Sequence, residues 1–242
     1  VSGNRSGRFW LMTAAAVTGI AVTLALGVWQ MSRAAQKLAL HAAIEQRQAL
    51  APVSQGELLA SRNPADLLHR TIVLRGSWVG SRTVFLDNRQ MQARIGFYVV
   101  TPLRLEGSDA AVLVQRGWAP RNFVEREKLP PVTTPEGVVE VRGRLAPPPA
   151  KLYEFAGAAP GPIRQNLDLA QFRAETGLPL LALSVQQLGE PSEGLLREWP
   201  EPASSVATNY GYAAQWWALS ILIAILYVWF QFVAPRRKVP HA

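Results

Sequence analysis

The stretch FWLMTAAAVTGIAVTLALGVW, residues 9–29, carries no charged side chain. At about 1.5 Å per residue it forms a helix of about 30 Å, the thickness of the hydrocarbon core of a bilayer. A cleaved signal peptide is the competing reading, but the apolar core of a signal runs to about 7–15 residues and this run is longer. Near the other end, YAAQWWALSILIAILYVWFQFV, residues 212–233, is equally free of charge and leads into Arg236, Arg237 and Lys238. Two spans place both ends of the chain on one side of a membrane and everything between them on the other. The Arg-Arg-Lys tail argues for an inner C-terminal side, because cytoplasmic segments carry the excess of Lys and Arg. Arg33, Lys37 and Arg47 offset Arg5 and Arg8 across the first span, so the tail is the better guide. The chain then divides into an inner segment 1–8, a first span 9–30, an outer domain 31–208, a second span with its interface start at 209–234, and a basic inner tail 235–242.

Composition agrees with this division. Charged residues make up 17% of the 242 and hydrophobic residues 49%, against about 25% charged in a typical soluble domain. All 17 acidic residues lie between Glu45 and Glu201, so much of the formal charge of +8 belongs to the two ends. A nucleic-acid binder carries its basic surface on a folded domain, and that class is set aside. Cysteine is absent, which excludes disulfides, thiolate metal sites and cysteine nucleophiles. His41, His69 and His241 are scattered, and there is no G-x-S-x-G, phosphate-binding loop, dinucleotide fingerprint or H-E-x-x-H. Neither an enzyme nor a metal site is expected.

Between the spans, RAAQKLALHAAIEQRQAL, residues 33–50, continues the first helix as a stalk, with no Gly or Pro before Pro52. Short runs rich in β-branched and aromatic residues follow: TIVLRGSWV (71–79), TVFLD (83–87), IGFYVVTPL (95–103), AVLVQRGW (111–118), VVEVRGRL (138–145) and LLALSVQQL (180–188). Gly, Pro, Asn and Asp separate them. They predict a mostly antiparallel sheet curled toward a barrel, a short helix at 169–176, and proline-rich loops at 129–135 and 147–149. The expected fold class is a membrane α+β protein: two transmembrane helices flanking an extracytoplasmic, barrel-like β domain.

The informative side chains gather where the spans leave the membrane on the outer side. Trp29, Tyr210 and Trp217 suit an aromatic belt. Gln30 and Gln215 need partners for their amides at that depth, and hydrogen bonds between helices would supply them. Ala15, Gly19, Thr23 and Gly27 recur every four residues as a ridge for close packing, with Ala214 and Ala218 as a counterpart. In the β domain, Arg116-Gly117-Trp118-Ala119-Pro120 reads in two ways. It is a strand end whose Trp packs at the barrel mouth, or an exposed Trp beside Arg that meets a partner.

Three segments carry a resemblance. LGVWQMSRAAQK (26–37), GFYVVTPL with VLVQRGWAPRN (96–103 and 112–122), and NYGYAAQWWAL (209–219) resemble the surfeit-locus-one family of cytochrome c oxidase assembly factors. The resemblance implies a non-enzymatic role at the step where haem a enters subunit I, in the inner membrane of a bacterium with the middle domain periplasmic. It implies oxidase subunit I and haem a synthase as partners beside the lipid bilayer. No cofactor is expected to be firmly bound, and contact with haem a would be transient. The alternative it carries is a haem a-binding chaperone that delivers the cofactor itself. Residues for cofactor contact are then Trp29, Arg33, Asn209, Tyr212 and Trp216, with Arg33 placed to pair a propionate. Residues for partner contact are Gln30, Arg116, Trp118 and Gln215. The family carries a histidine where this chain has Asn209, and an amide does not replace an imidazole on iron. His41 lies too far along the first helix to substitute for it.

Overall fold

The computed structural model describes residues 3–125, 128–152, 161–200 and 206–236, so Arg237, Lys238 and His241 lie outside the described residues. In chain order the elements are α1 (Gly3–Gln48), α2 (Gln55–Ala60), β1 (Thr71–Trp78), β2 (Val84–Met91), β3 (Arg94–Leu105), β4 (Ala111–Pro120), β5 (Val138–Ala146), β6 (Ile163–Arg164), α3 (Leu169–Thr176), β7 (Leu180–Gln187) and α4 (Val206–Val228). The chain forms two units, one of Val1–Ala43 with Pro202–Ala242 and one of Ile44–Glu201.

The first unit holds the two apolar helices. α1 runs unbroken through the predicted stalk, as the lack of Gly and Pro after Gly27 requires. α4 starts three residues before the predicted boundary at 209 and continues as a π-helical turn, Trp229–Val233. Gly7–Gln48 and Val206–Val233 are each long and apolar enough to cross a membrane.

The second unit is the β domain, and every predicted strand is present in it. The ladder runs β1-β5-β7-β4-β3-β2-β6, and β3 also pairs with β1 through Gly76↔Leu105 and Trp78↔Leu103. That last pairing closes β1, β5, β7, β4 and β3 into a ring, the barrel-like sheet expected from sequence. Most pairs are antiparallel, while β4–β7 and β2–β6 are parallel. Ile72, Leu74, Val112, Val114, Leu145 and Val185 share one core cluster. Val84, Leu86, Leu113 and Phe172 of α3 share another. β4 therefore alternates between two cores, and all its residues except Pro120 are buried. The helix α3 starts where Asp168 accepts hydrogen bonds from the backbone N–H groups of Ala170 and Gln171.

Two local features depart from the sequence reading. The strand expected to end at Asp87 continues to Met91, because Asn88 takes a left-handed conformation (φ 59°) and absorbs a register shift between Leu86 and Arg89. The following hairpin turns on Gln92 and Ala93, at φ 52° and 58°, a conformation usually given to Asn-Gly. Alanine is disfavoured there by its Cβ. Ala93→Gly is expected to stabilise the β domain by about 1 kcal/mol despite the added freedom of the unfolded chain, which denaturant unfolding of the full chain would register.

Candidate functional site

The seam between α1 and α4 is where the predicted residues converge. Among the buried and half-buried positions of α1 are Thr13, Ala16, Ile20, Thr23, Gly27, Gln30, Ala34 and Lys37, flanked by Gly19 and Leu26; among those of α4 are Asn209, Ala213, Trp216, Ser220, Ile223 and Tyr227, flanked by Ala224. Both series alternate steps of three and four, the spacing of a coiled-coil seam. The ridge read from sequence overlaps this seam only in part. Gly19, Thr23 and Gly27 lie in it, but Ala15, Ala214 and Ala218 are exposed, and Ala213 and Ser220 take the places expected of the latter two. A spacing of four drifts by about 40° per step around a helix of 3.6 residues per turn, so it leaves any straight contact line.

Close approach is tightest at Gly27, where a Cβ would lie 2.1 Å from the indole Nε1 of Trp217. No side chain fits there without moving Trp217 or the helices. Gly27→Val is expected to weaken the pairing by about 1–3 kcal/mol. Paramagnetic labels on the two helices would report it as a longer, broader distance, whereas Gly7→Val, with open space around it, would leave the distance unchanged.

At either end of the seam the helices are joined by polar contacts. Thr13 Oγ1 and Tyr227 Oη lie 2.8 Å apart at one end. At the other, Asn209 Nδ2 donates to Gln30 Oε1 at 2.7 Å, and Lys37 Nζ donates to Asn209 Oδ1 at 2.9 Å. The interhelical bond expected of Gln30 is thus made, with Asn209 as its partner. Gln215 is exposed, makes no hydrogen bond among the described residues and does not face the seam. Lys37 was not singled out from sequence, although it falls seven residues after Gln30, on the same helix face.

The remaining predicted contacts do not assemble into one cradle. Trp29 and Tyr212 are about half exposed, Trp216 is half-buried, and no ring contact joins any two of the three among the described residues. Arg33 lies over the Trp29 ring at 6.0 Å and donates to Gln36.

Of the two readings of Arg116 and Trp118, packing within the domain is the one their burial supports, at 0% and 1% exposure, and neither side chain is offered to a partner in this structure. A bulge explains the arginine: Val99 pairs with Gly117 and Val100 with Gln115, so Arg116 is the extra residue and is turned into the domain. Its guanidinium lies over Trp78 at 4.7 Å, donates to Thr134 Oγ1 and the Thr133 carbonyl, and pairs with Glu193 at 2.9 Å. Arg197 shares the same carboxylate at 3.3 Å and donates to the Arg116 carbonyl. Burial pulls the Arg197 guanidinium below its ordinary value; Glu193 opposes this and Arg116 adds to it. The Trp118 indole N–H donates to the Arg89 carbonyl at 2.9 Å, and its ring lies so close to Gly96 that a Cβ there would be 2.6 Å away.

The β domain also carries a cleft of about 340 Å³ beside Arg82, Thr83, Arg164 and Glu175. Arg164 is held there by both oxygens of Glu175. Its hydrogen bonds, set against some desolvation and aided by its charge and that of Arg82, hold the Glu175 carboxyl below its ordinary value. No group of three or more His, Asp or Glu able to hold a metal occurs among the described residues.

For iron, the side chains gathered at Asn209 are a poor set. A carboxamide nitrogen has no free lone pair, the carboxamide oxygen is engaged by an ammonium, and a cation beside the site repels ferric iron. The residues at this position do not fit a haem ligand.

Two apolar helices at the ends of the chain, packed through a heptad-like seam, and a barrel-like β domain between them in sequence define a class of protein with candidate membrane anchors. The SURF1 family profile matches residues 17–221. The chain belongs to the SURF1 family. Among curated relatives, a SURF1-like protein of Monosiga brevicollis is 32% identical over 60% of this chain and 55% of its own length. The cytochrome oxidase assembly protein SHY1 of Saccharomyces cerevisiae is 26% identical over 46% of this chain and 27% of its own length. A SURF1-like protein of Rickettsia conorii is 23% identical over 86% of this chain and 85% of its own. The chain thus spans about half of the first of these relatives and about a quarter of the yeast one.

Proposed function

We propose that this chain is a membrane-anchored assembly factor for cytochrome c oxidase that acts without catalysis. It assists insertion of haem a into subunit I or steadies subunit I while the cofactor enters. The observation that carries this reading is family membership over residues 17–221, together with a relative described as a cytochrome oxidase assembly protein. Both helices cross the inner membrane of a bacterium, with the β domain on the periplasmic side and the Arg-Arg-Lys tail in the cytoplasm. Oxidase subunit I, and haem a synthase beside it, would meet the exposed flank that carries Trp29, Arg33, Tyr212 and Gln215. Trp and Arg suit such a contact, and the Gln215 amide, unsatisfied within the pair, suits a polar group on another transmembrane helix.

Reduced-minus-oxidised visible spectra of membranes test the proposal. Deleting the gene is expected to diminish the haem a band and cytochrome c oxidation, and complementation is expected to restore both. An unchanged band and unchanged oxidation in a strain that also lacks any second family member would refute the assembly role.

A further inference from the structure

The polar layer of Gln30, Lys37 and Asn209 closes one end of a seam whose middle is made of apolar and small groups, with the Thr13–Tyr227 pair at the other end. Asn209 is engaged at both ends of its carboxamide, donating to Gln30 and accepting from Lys37. Sliding one helix past the other by a turn, about 5.4 Å, would separate all three groups and leave each without its partner. A single polar layer of this kind fixes register in helix pairs because the slipped alternatives cannot satisfy it. The contacts along the seam agree on one antiparallel register: Thr13 meets Tyr227, Gly19 meets Ile223 and Gly27 meets Trp217.

We infer that Asn209, Lys37 and Gln30 form a register lock between the two apolar helices, and that this lock occupies the position a haem ligand would need, so the chain does not ligate haem there. The inference rests on the assembly reading only for haem being the cofactor at issue. It assigns Asn209 to holding the helices rather than iron. Lys37 is the second member of the lock: its ammonium both fixes the carboxamide orientation and opposes a metal cation beside it. The surface offered to a partner is then a fixed arrangement of two helices, with no cofactor carried between them.

The chain has no cysteine, so Val28→Cys with Leu219→Cys, both at exposed positions, gives one labelled pair in the full detergent-solubilised chain. Pulsed electron resonance is expected to show one narrow distance. Adding Asn209→Ala or Lys37→Met is expected to broaden the distribution at least two-fold, and Lys37→Arg to retain most of its sharpness. The same protein, titrated with ferric haem b as the probe, is expected to show no saturable shift of the Soret band. An unchanged distance in both Asn209→Ala and Lys37→Met overturns the lock. Saturable one-to-one haem binding in the unsubstituted chain that Asn209→Ala abolishes overturns the statement about the ligand. Both measurements use purified protein and remain decisive whatever the deletion strain shows.

Discussion

Glu193→Gln is expected to destabilise the β domain by about 3 kcal/mol, more than Arg116→Met does. Among the described residues the Glu193 carboxylate is the one anion bonded to both Arg116 and Arg197. Removing its charge while keeping its shape leaves two guanidiniums facing each other, one of them fully buried. Breaking a buried ion pair from one side costs about 3–5 kcal/mol, and the lower end applies because the Glu193 side chain is 18% exposed. Arg116→Met removes the most buried charge together with its desolvation cost and leaves Glu193 paired with Arg197. It forfeits the bonds to Thr133 and Thr134, for a net loss of about 1–2 kcal/mol. Urea unfolding of the full chain in detergent, followed by near-ultraviolet circular dichroism, gives both values. Equal losses, or a larger loss for Arg116→Met, would mean that the carboxylate does not organise this cluster.

Trp118→Ala is expected to cost about 3–5 kcal/mol, the range for emptying a buried aromatic site. The indole is 1% exposed, its N–H satisfies the Arg89 carbonyl, and the Trp118 backbone exchanges both hydrogen bonds with Leu196. The substitution leaves a cavity against Gly96 and removes the indole bond to the Arg89 carbonyl, while the backbone bridge to Leu196 remains. In cells the protein level should fall, and any loss of oxidase should follow that level. Oxidase loss at an unchanged protein level would show that Trp118 meets a partner after all.

The spans and the strands were legible because each is a local pattern. An uncharged run of bilayer length declares a helix, and β-branched runs between turn residues declare strands such as Thr71–Trp78 and Leu180–Gln187. What escaped depends on a change of phase or on distance along the chain. The strand through Asn88 looked finished because Asn usually ends strands, but here it serves as a bulge. The hairpin at Gln92 and Ala93 carries no turn signal at all. The burial of Arg116 was not legible because it depends on a bulge against β3, and its partners Thr133, Thr134 and Glu193 come from loops that no pattern ties to it. At the seam, the need of Gln30 for a partner was legible, since a carboxamide at that depth must be satisfied. The identity of the partner was not, because Asn209 lies 179 residues away. Lys37 was counted among charges that orient a span, and its role appeared only when the seam placed it beside Asn209.

The same separation sets an order of events during synthesis. Translation at about 5–20 residues per second puts on the order of 10–40 s between the emergence of Gln30 and that of Asn209. Throughout that interval α1 carries an amide, an ammonium and the Thr13 hydroxyl without the groups on α4 that later meet them. The sheet also stays open until β7 arrives, since β5 and β4 are bridged by that strand. A nascent chain of this protein therefore waits half-built, with the polar groups of its first helix dependent on their surroundings for temporary partners, and chains released before Asn209 never acquire the permanent ones.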